Sequence, residues 1–153
     1  MSMELYVLSD RRLESIDAWQ AAIDACNFPL QLSTAIPFAR LNGVLPIQLG
    51  NRRAAFECVH WNAAELMAEL SDIDFGLRWK YVLAFRWTGN SYEGIAAYMA
   101  GSAYAKATGG IVFDCEEGKI ISPERAGEIA REIERDIPMI EDMVRRVSEK
   151  FQK

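Results

Sequence analysis

A long amphipathic segment at the C-terminal end most constrains how this chain can fold. Its apolar residues recur at alternating spacings of four and three, the repeat of one helix face, and charged residues fill most positions between them. The apolar positions are Ala126, Ala130, Ile133, Ile137, Ile140, Val144, Val147 and Phe151. A single helix of this kind is not stable alone. We therefore expect the seam to pack on the body of the protein or on a second copy in a homodimer.

Length and composition predict a single globular domain spanning residues 1–153. The chain has the length of one ordinary domain and half of its residues are apolar, which argues against disorder. Its net charge of −5 disfavours nucleic acid as a partner. The sequence lacks a signal-peptide pattern and an apolar run of the about 20 residues that cross a bilayer. We expect a cytoplasmic protein that does not bind membranes.

Several short segments have the pattern of β-strands. Residues 5–8 are an apolar run. Residues 54–61 alternate between two faces that both carry apolar residues, which predicts a strand covered on both sides. Residues 79–87 form the strongest strand, which we expect at the centre of the sheet. Residues 30–49 are interrupted by Pro and Gly, which favours short or edge strands. Residues 111–121 have the pattern of a hairpin.

A nearly uncharged helix is predicted for residues 91–108. Asn90 and Glu93 form a capping box at its start. Gly94 and Gly101 each cost a helix roughly 1 kcal/mol relative to Ala, so they indicate close approach to a neighbouring backbone. This helix should be the most buried one.

The last helix begins with a cap at Ser122 and Pro123 at its first position, and Pro138 inside it should kink or split it. The order of elements predicts an α+β fold. We expect a single mixed or mostly antiparallel sheet of about five or six strands with helices packed on it. The long amphipathic C-terminal helix closes the core or extends from it.

Glu57 and Arg86 are the most informative polar residues, since each lies in a strand between apolar neighbours. A buried isolated charge is costly, so Glu57 lies at a solvated edge or has a partner, and Arg86 is the natural one. One interpretation is an internal ion pair. The other is the polar centre of a ligand pocket flanked by Trp61 and Trp87.

Cys58 and His60 point the same way on one strand and could offer two ligands to a metal. The sequence has no other His, and further ligands would have to come from residues such as Asp114 and Cys115. The alternative is a core Cys58 and a hydrogen-bonded His60 at a strand end. The three cysteines form no CxxC pair. We therefore expect reduced thiols, no metal and no cofactor.

Negative charge is concentrated at the predicted hairpin tip, at Asp114, Glu116 and Glu117. A solvated turn accounts for these residues. A contact surface for a basic partner is the functional alternative.

Four parts of the chain resemble a group of small uncharacterised bacterial domains of unknown function. They are Leu5-Tyr6-Val7-Leu8-Ser9-Asp10 with Trp19-Gln20-Ala21-Ala22-Ile23-Asp24-Ala25, the strand Ala55-Phe56-Glu57, the segment Thr108-Gly109-Gly110-Ile111-Val112-Phe113-Asp114 after an Ala-rich helix, and Ser122-Pro123-Glu124. Some similar domains are grouped with immunity proteins that neutralise secreted toxins. The resemblance implies an α+β fold and supplies no catalytic residues.

The sequence favours a noncatalytic protein-binding domain, and the resemblance suggests an immunity or toxin-neutralising protein. The partner would be another protein or a second copy of the chain. The motifs of serine hydrolases, P-loop proteins, dinucleotide-binding folds and zinc proteases are missing. The alternative is a small-molecule-binding or enzymatic domain with a pocket around Glu57 and Arg86, to which His60, Trp61 and Trp87 would contribute.

Overall fold

The computed structural model describes residues 2–151, except for the side chain of Ile140. Within this range the chain forms seven strands, four α-helices and one short 3-10 helix (Phe38–Arg40). The strands are β1 (Ser2–Ser9), β2 (Leu30–Leu32), β3 (Asn42–Leu49), β4 (Arg52–Asn62), β5 (Tyr81–Thr88), β6 (Ile111–Asp114) and β7 (Lys119–Ile121). The helices are α1 (Ile16–Ala25), α2 (Ala63–Glu69), α3 (Ser91–Thr108) and α4 (Pro123–Phe151).

All strands pair antiparallel in one sheet with the order β2-β3-β4-β5-β1-β6-β7. The predicted α+β class is confirmed, and β5 occupies the central position that its apolar pattern predicted. The strands outnumber the expected five or six, because the segment rich in Pro and Gly forms both the short β2 and the eight-residue β3. The predicted hairpin is formed by β6 and β7.

One face of the sheet is covered by α1, α3 and α4. Trp19 of α1 is fully buried there and its indole N–H donates to the Ala100 carbonyl of α3 at 3.0 Å. Helix α3 packs closely on the sheet at both of its glycines, but the predicted neighbour is wrong, because the glycines meet side chains rather than backbone. A Cβ on Gly101 would lie 2.9 Å from Leu5 Cδ2, and one on Gly94 would lie 3.1 Å from Trp87 Nε1. Glycine therefore lets α3 lie directly on the sheet.

Helix α4 begins as its sequence predicts, with Ser122 Oγ accepting a hydrogen bond from the Arg125 amide at 3.0 Å. Ala126, Ala130 and Ile137 of its seam are buried against the body. The helix continues unbroken through Pro138, so the expected split does not occur. Beyond Pro138 the helix extends from the core, and its apolar residues Met139, Met143, Val144, Val147 and Phe151 are exposed. The chain thus combines both predicted arrangements of this helix in its two halves.

The other face of the sheet is only partly covered. Helix α2 and the following loop bury one end of it through a second apolar cluster, formed by Leu8, Ala63, Leu66, Phe75, Trp79, Val82 and Phe113. The remaining surface, over β3, β4, β5 and the start of β1, is open. We call this surface, together with the bordering residues 69–73 of α2 and its loop, the open face. The expectation that β4 is covered on both sides is therefore wrong for the part of β4 that contains Glu57.

In the range 2–151, none of the helices combines the length and the apolar character that crossing a bilayer would require.

Candidate binding site on the open face of the sheet

Glu57 and Arg86 lie opposite each other on neighbouring strands. They are register partners in the β4–β5 pair, and both side chains point to the open face because Phe56 and Phe85 beside them are buried on the helix side. Strand alternation alone places them there. Their side chains are 50% and 57% exposed. The predicted adjacency is confirmed, whereas the predicted burial as an internal pair is wrong, since no layer covers this part of the sheet.

Arg86 makes its strongest contacts with Glu4 of β1 rather than with Glu57. Glu4 is its register partner on the other side, and Glu4 Oε1 accepts hydrogen bonds from Arg86 Nη2 at 2.8 Å and Nε at 3.1 Å. The distance from Arg86 Nε to Glu57 Oε2 is 4.0 Å. The hydrogen bond and the charge of Glu4 raise the pKa of the Arg86 guanidinium. Two carboxylates thus share one cation, and Glu57 is the weaker partner.

Two aromatic residues border these charges. The Tyr6 hydroxyl donates to Glu4 Oε2 at 3.1 Å, and burial, together with nearby negative charge, raises the pKa of Tyr6 above its ordinary value. Tyr6 therefore stays a neutral donor at physiological pH. Its ring meets Trp61 edge to face at 6.2 Å between centroids, and the Trp61 indole N–H donates to Glu65 Oε2 at 2.8 Å. These contacts fix the orientation of both rings.

Two adjoining cavities share Glu4 and Tyr6. The first, of about 380 Å³, contains Glu57, Arg86 and Trp61. The second, of about 440 Å³, is bordered by Glu69, Asp72 and Cys115 among other residues. Each is within the size range of ligand pockets, roughly 300–1,000 Å³. Their walls carry four carboxylates, Glu4, Glu57, Glu69 and Asp72, against the guanidinium of Arg86. The combined surface is therefore negative and suits a cationic ligand.

Trp87 and His60 lie on the helix-covered side of their strands. Trp87 is 4% exposed and packs edge to face on Tyr98, so its ring does not flank the Glu57–Arg86 pair and that prediction is corrected. His60 Nε2 is 2.8 Å from the Phe38 carbonyl oxygen, and burial lowers the pKa of its imidazole. These contacts match the predicted alternative of a hydrogen-bonded histidine near a strand end.

At the β6–β7 hairpin the three acidic residues separate. Asp114 is 1% exposed, and its Oδ1 accepts hydrogen bonds from the Tyr98 hydroxyl at 3.1 Å and the Glu116 amide at 3.0 Å. It is not available to a partner, which corrects the prediction for this residue. Glu116 and Glu117 are exposed, and Glu116 Oε1 accepts from the Glu4 amide at 3.3 Å. The hairpin tip therefore adjoins the open face.

The two cysteines considered for chemistry are in unreactive surroundings. Cys58 is fully buried on the helix side, and burial raises the pKa of its thiol. Burial and the charge of Glu4 raise the pKa of Cys115 to about 12, so its thiol is protonated at physiological pH. Among residues 2–151, no three His, Cys, Asp or Glu side chains converge in a metal-binding arrangement.

Sequence reasoning missed Glu4 and Tyr6, which connect the two cavities. The predicted strand of residues 5–8 includes Tyr6 only as part of an apolar run, and it leaves Glu4 outside. Their alternation with Leu5 and Val7, both fully buried, was the available signal that one face of β1 is polar. That Glu4 lies beside Arg86 follows only from the order of strands in the sheet.

Comparisons of the chain with models of known protein families, with curated proteins and with solved structures give no match.

Proposed function

We propose that this chain is a noncatalytic protein-binding domain and that its open face binds a basic segment of the partner. The observation that carries this proposal is the excess of carboxylates over guanidinium across the two adjoining cavities. A Lys or Arg side chain from a partner would restore the charge balance there. The net charge of −5 would also accelerate encounter with a basic protein.

The geometry indicates which carboxylate receives the incoming cation. Both hydrogen-bonding contacts of Arg86 to carboxylate go to Glu4, and Glu57 is 4.0 Å from the guanidinium and half exposed. Of the two carboxylates beside Arg86, Glu57 is therefore the one whose oxygens are freer to accept hydrogen bonds from a bound cation. Trp61 and Tyr6 lie beside it and offer aromatic surface for the alkyl stem or cation of the same side chain.

The specific form of this proposal is an immunity protein that neutralises a bacterial toxin. Its support is the sequence resemblance described above, together with the acidic binding surface. Neutralisation requires tight binding that blocks the toxin and no turnover by the domain itself. The product of the gene beside this one is the partner to test first.

The experiment measures binding of that neighbouring product by isothermal titration calorimetry. We expect the double variant Glu57→Gln, Glu69→Gln to lower affinity at least about tenfold, roughly 1.4 kcal/mol, and to weaken the salt dependence of binding. The matched control replaces the exposed Glu14 and Glu134, which lie outside both cavities, by Gln. Equal affinity of the two double variants would remove the open face from the proposal, and chemical conversion of the partner would show the domain to be an enzyme.

A second candidate function is binding of a small cationic or zwitterionic molecule in the first cavity. The favouring observation is that Glu57 and Arg86 are both exposed within a space of ligand size. Thermal shift measurements with amino acids and polyamines would test this. A compound that raises the melting temperature of the wild type, but of neither Glu57→Gln nor Arg86→Gln, would support it.

A further inference from the structure

The last part of α4 carries an apolar stripe that no other part of the described chain covers. Its side chains are 54% to 86% exposed, and they are Met139, Met143, Val144, Val147 and Phe151. At 3.6 residues per turn they occupy about 140° of the helix circumference. The stripe continues the seam that buries Ala126, Ala130 and Ile137 upstream. The same repeat is therefore covered by the body in one half of the helix and bare in the other.

Charge along this part of α4 is divided between an acidic segment and a basic segment. From Glu132 to Asp142 the sequence has five carboxylates and one Arg, whereas residues 145–150 have three basic side chains and one Glu. Asp142 pairs with Arg145 and Arg146 at the boundary within the helix. Two copies side by side in the same direction would bring like charges together. Two copies in opposite directions bring each basic end beside the partner's acidic region.

The register of such a pair is indicated by three residues spaced seven apart. Asp136, Met143 and Lys150 lie within about 40° of one another around the helix, in the half of the stripe nearer Met139, and all three are exposed. Neither Asp136 nor Lys150 forms an ion pair with another residue of the described range. When two such helices cross antiparallel at Met143, Asp136 of each copy lies opposite Lys150 of the other.

We propose that the C-terminal part of α4 binds a second copy of this chain as an antiparallel helix pair centred on Met143. A second copy is the partner that fits, because the charge pattern is self-complementary and the stripe continues the buried seam. In this register the two helices overlap over residues 135–151, a length of about 26 Å. We expect one helix pair of this length to bury less than the about 800 Å² per partner of a standard interface, so the dimer dissociates at low concentration. This surface is distinct from the open face of the sheet.

Sedimentation velocity of the full chain, from about 1 μM to about 1 mM, tests the proposal over the range in which a small interface dissociates. We expect a monomer–dimer equilibrium. Val147→Asp should raise the dimer dissociation constant at least about tenfold, because it places a charge in the interface. The control Ser148→Asp adds the same charge next to the stripe and should have a smaller effect. Circular dichroism verifies that each variant is folded.

Charge reversal tests the register. Asp136→Lys and Lys150→Asp should each weaken self-association, because each creates two like-charge pairs by symmetry, whereas an equimolar mixture of the two should form dimers again. The double variant should also dimerise. A chain that stays monomeric at the highest concentration, whether or not it binds anionic lipid vesicles or an amphipathic helix, overturns the proposal. A dimer that is insensitive to the charge reversals, or one that persists unchanged in Val147→Asp, overturns it as well.

Discussion

The two faces of the sheet differ in composition although they are formed by alternate residues of the same strands. Leu5, Phe56 and Phe85 point to the helices and are at most 2% exposed. The residues beside them, Glu4, Glu57 and Arg86, point to the open face and form the charged triad. One face therefore stabilises the fold by burial, and the uncovered part of the other presents charged side chains to solvent.

Under the proposed function, this difference separates residues that stabilise the fold from residues that bind the partner. A substitution on the helix side removes buried apolar contact and leaves a cavity, whereas a substitution on the open face changes solvated charge. Substitutions of neighbouring residues should therefore differ in effect: those on the helix side lower the free energy of unfolding, and those on the open face leave it nearly unchanged. The following variants challenge that division, beginning with the largest expected effect.

Phe85→Ala should lower the free energy of unfolding by about 3–5 kcal/mol. Phe85 is fully buried and packs edge to face on Trp19 and Phe56, so truncation leaves a cavity between the sheet and α1. Urea denaturation measures the change. The control is Arg86→Ala, one residue away on the open face, which should shift the denaturation midpoint far less, because it removes a solvated charge rather than a buried ring. Similar losses for both variants would contradict the separation of the two faces.

Tyr98→Phe should cost about 1–3 kcal/mol, because it removes a hydroxyl donor from the buried Asp114 carboxylate. This contact joins the helix layer to the end of β6. Denaturant midpoints of the variant and the wild type measure the loss. Tyr81→Phe is the matched control, since the Tyr81 side chain is partly exposed and its ring lies beside Arg12. If the two variants were equally stable, Asp114 would not depend on its tyrosine partner.

The smallest effect concerns His60. Burial lowers the pKa of its imidazole below the ordinary value of 6.5. Between the folded and unfolded pKa values the unfolded chain binds the proton and the folded chain does not, so stability falls as pH decreases below about 6.5. His60→Gln removes this titration and keeps an N–H donor for the Phe38 carbonyl. We expect the denaturation midpoint of the variant to change less than that of the wild type between pH 7.5 and pH 5.5. Identical pH profiles would contradict the assignment to the single His.

Local signals in the sequence predicted much of the fold and part of the candidate site. The Ser122 cap and the hairpin of residues 111–121 follow from short-range pattern. The pairing of Glu57 with Arg86 was predicted from their charges and from the cost of an isolated buried charge, and it holds because β4 and β5 are neighbours in the sheet. The involvement of Glu4 does not, since it requires β1 to insert between β5 and β6. The burial of Asp114 was also missed, because its hydroxyl donor lies on a helix that only the tertiary fold brings close.

The edges of the sheet limit how this protein can associate. The edge strands β2 and β7 are only three residues long each, so neither offers an extended row of backbone groups to a passing chain. Joining of sheets edge to edge, the usual start of fibrous aggregation, is thereby disfavoured. The exposed apolar end of α4 is therefore not accompanied by a long free strand, and association through that helix does not lead on to growth of a continuous sheet.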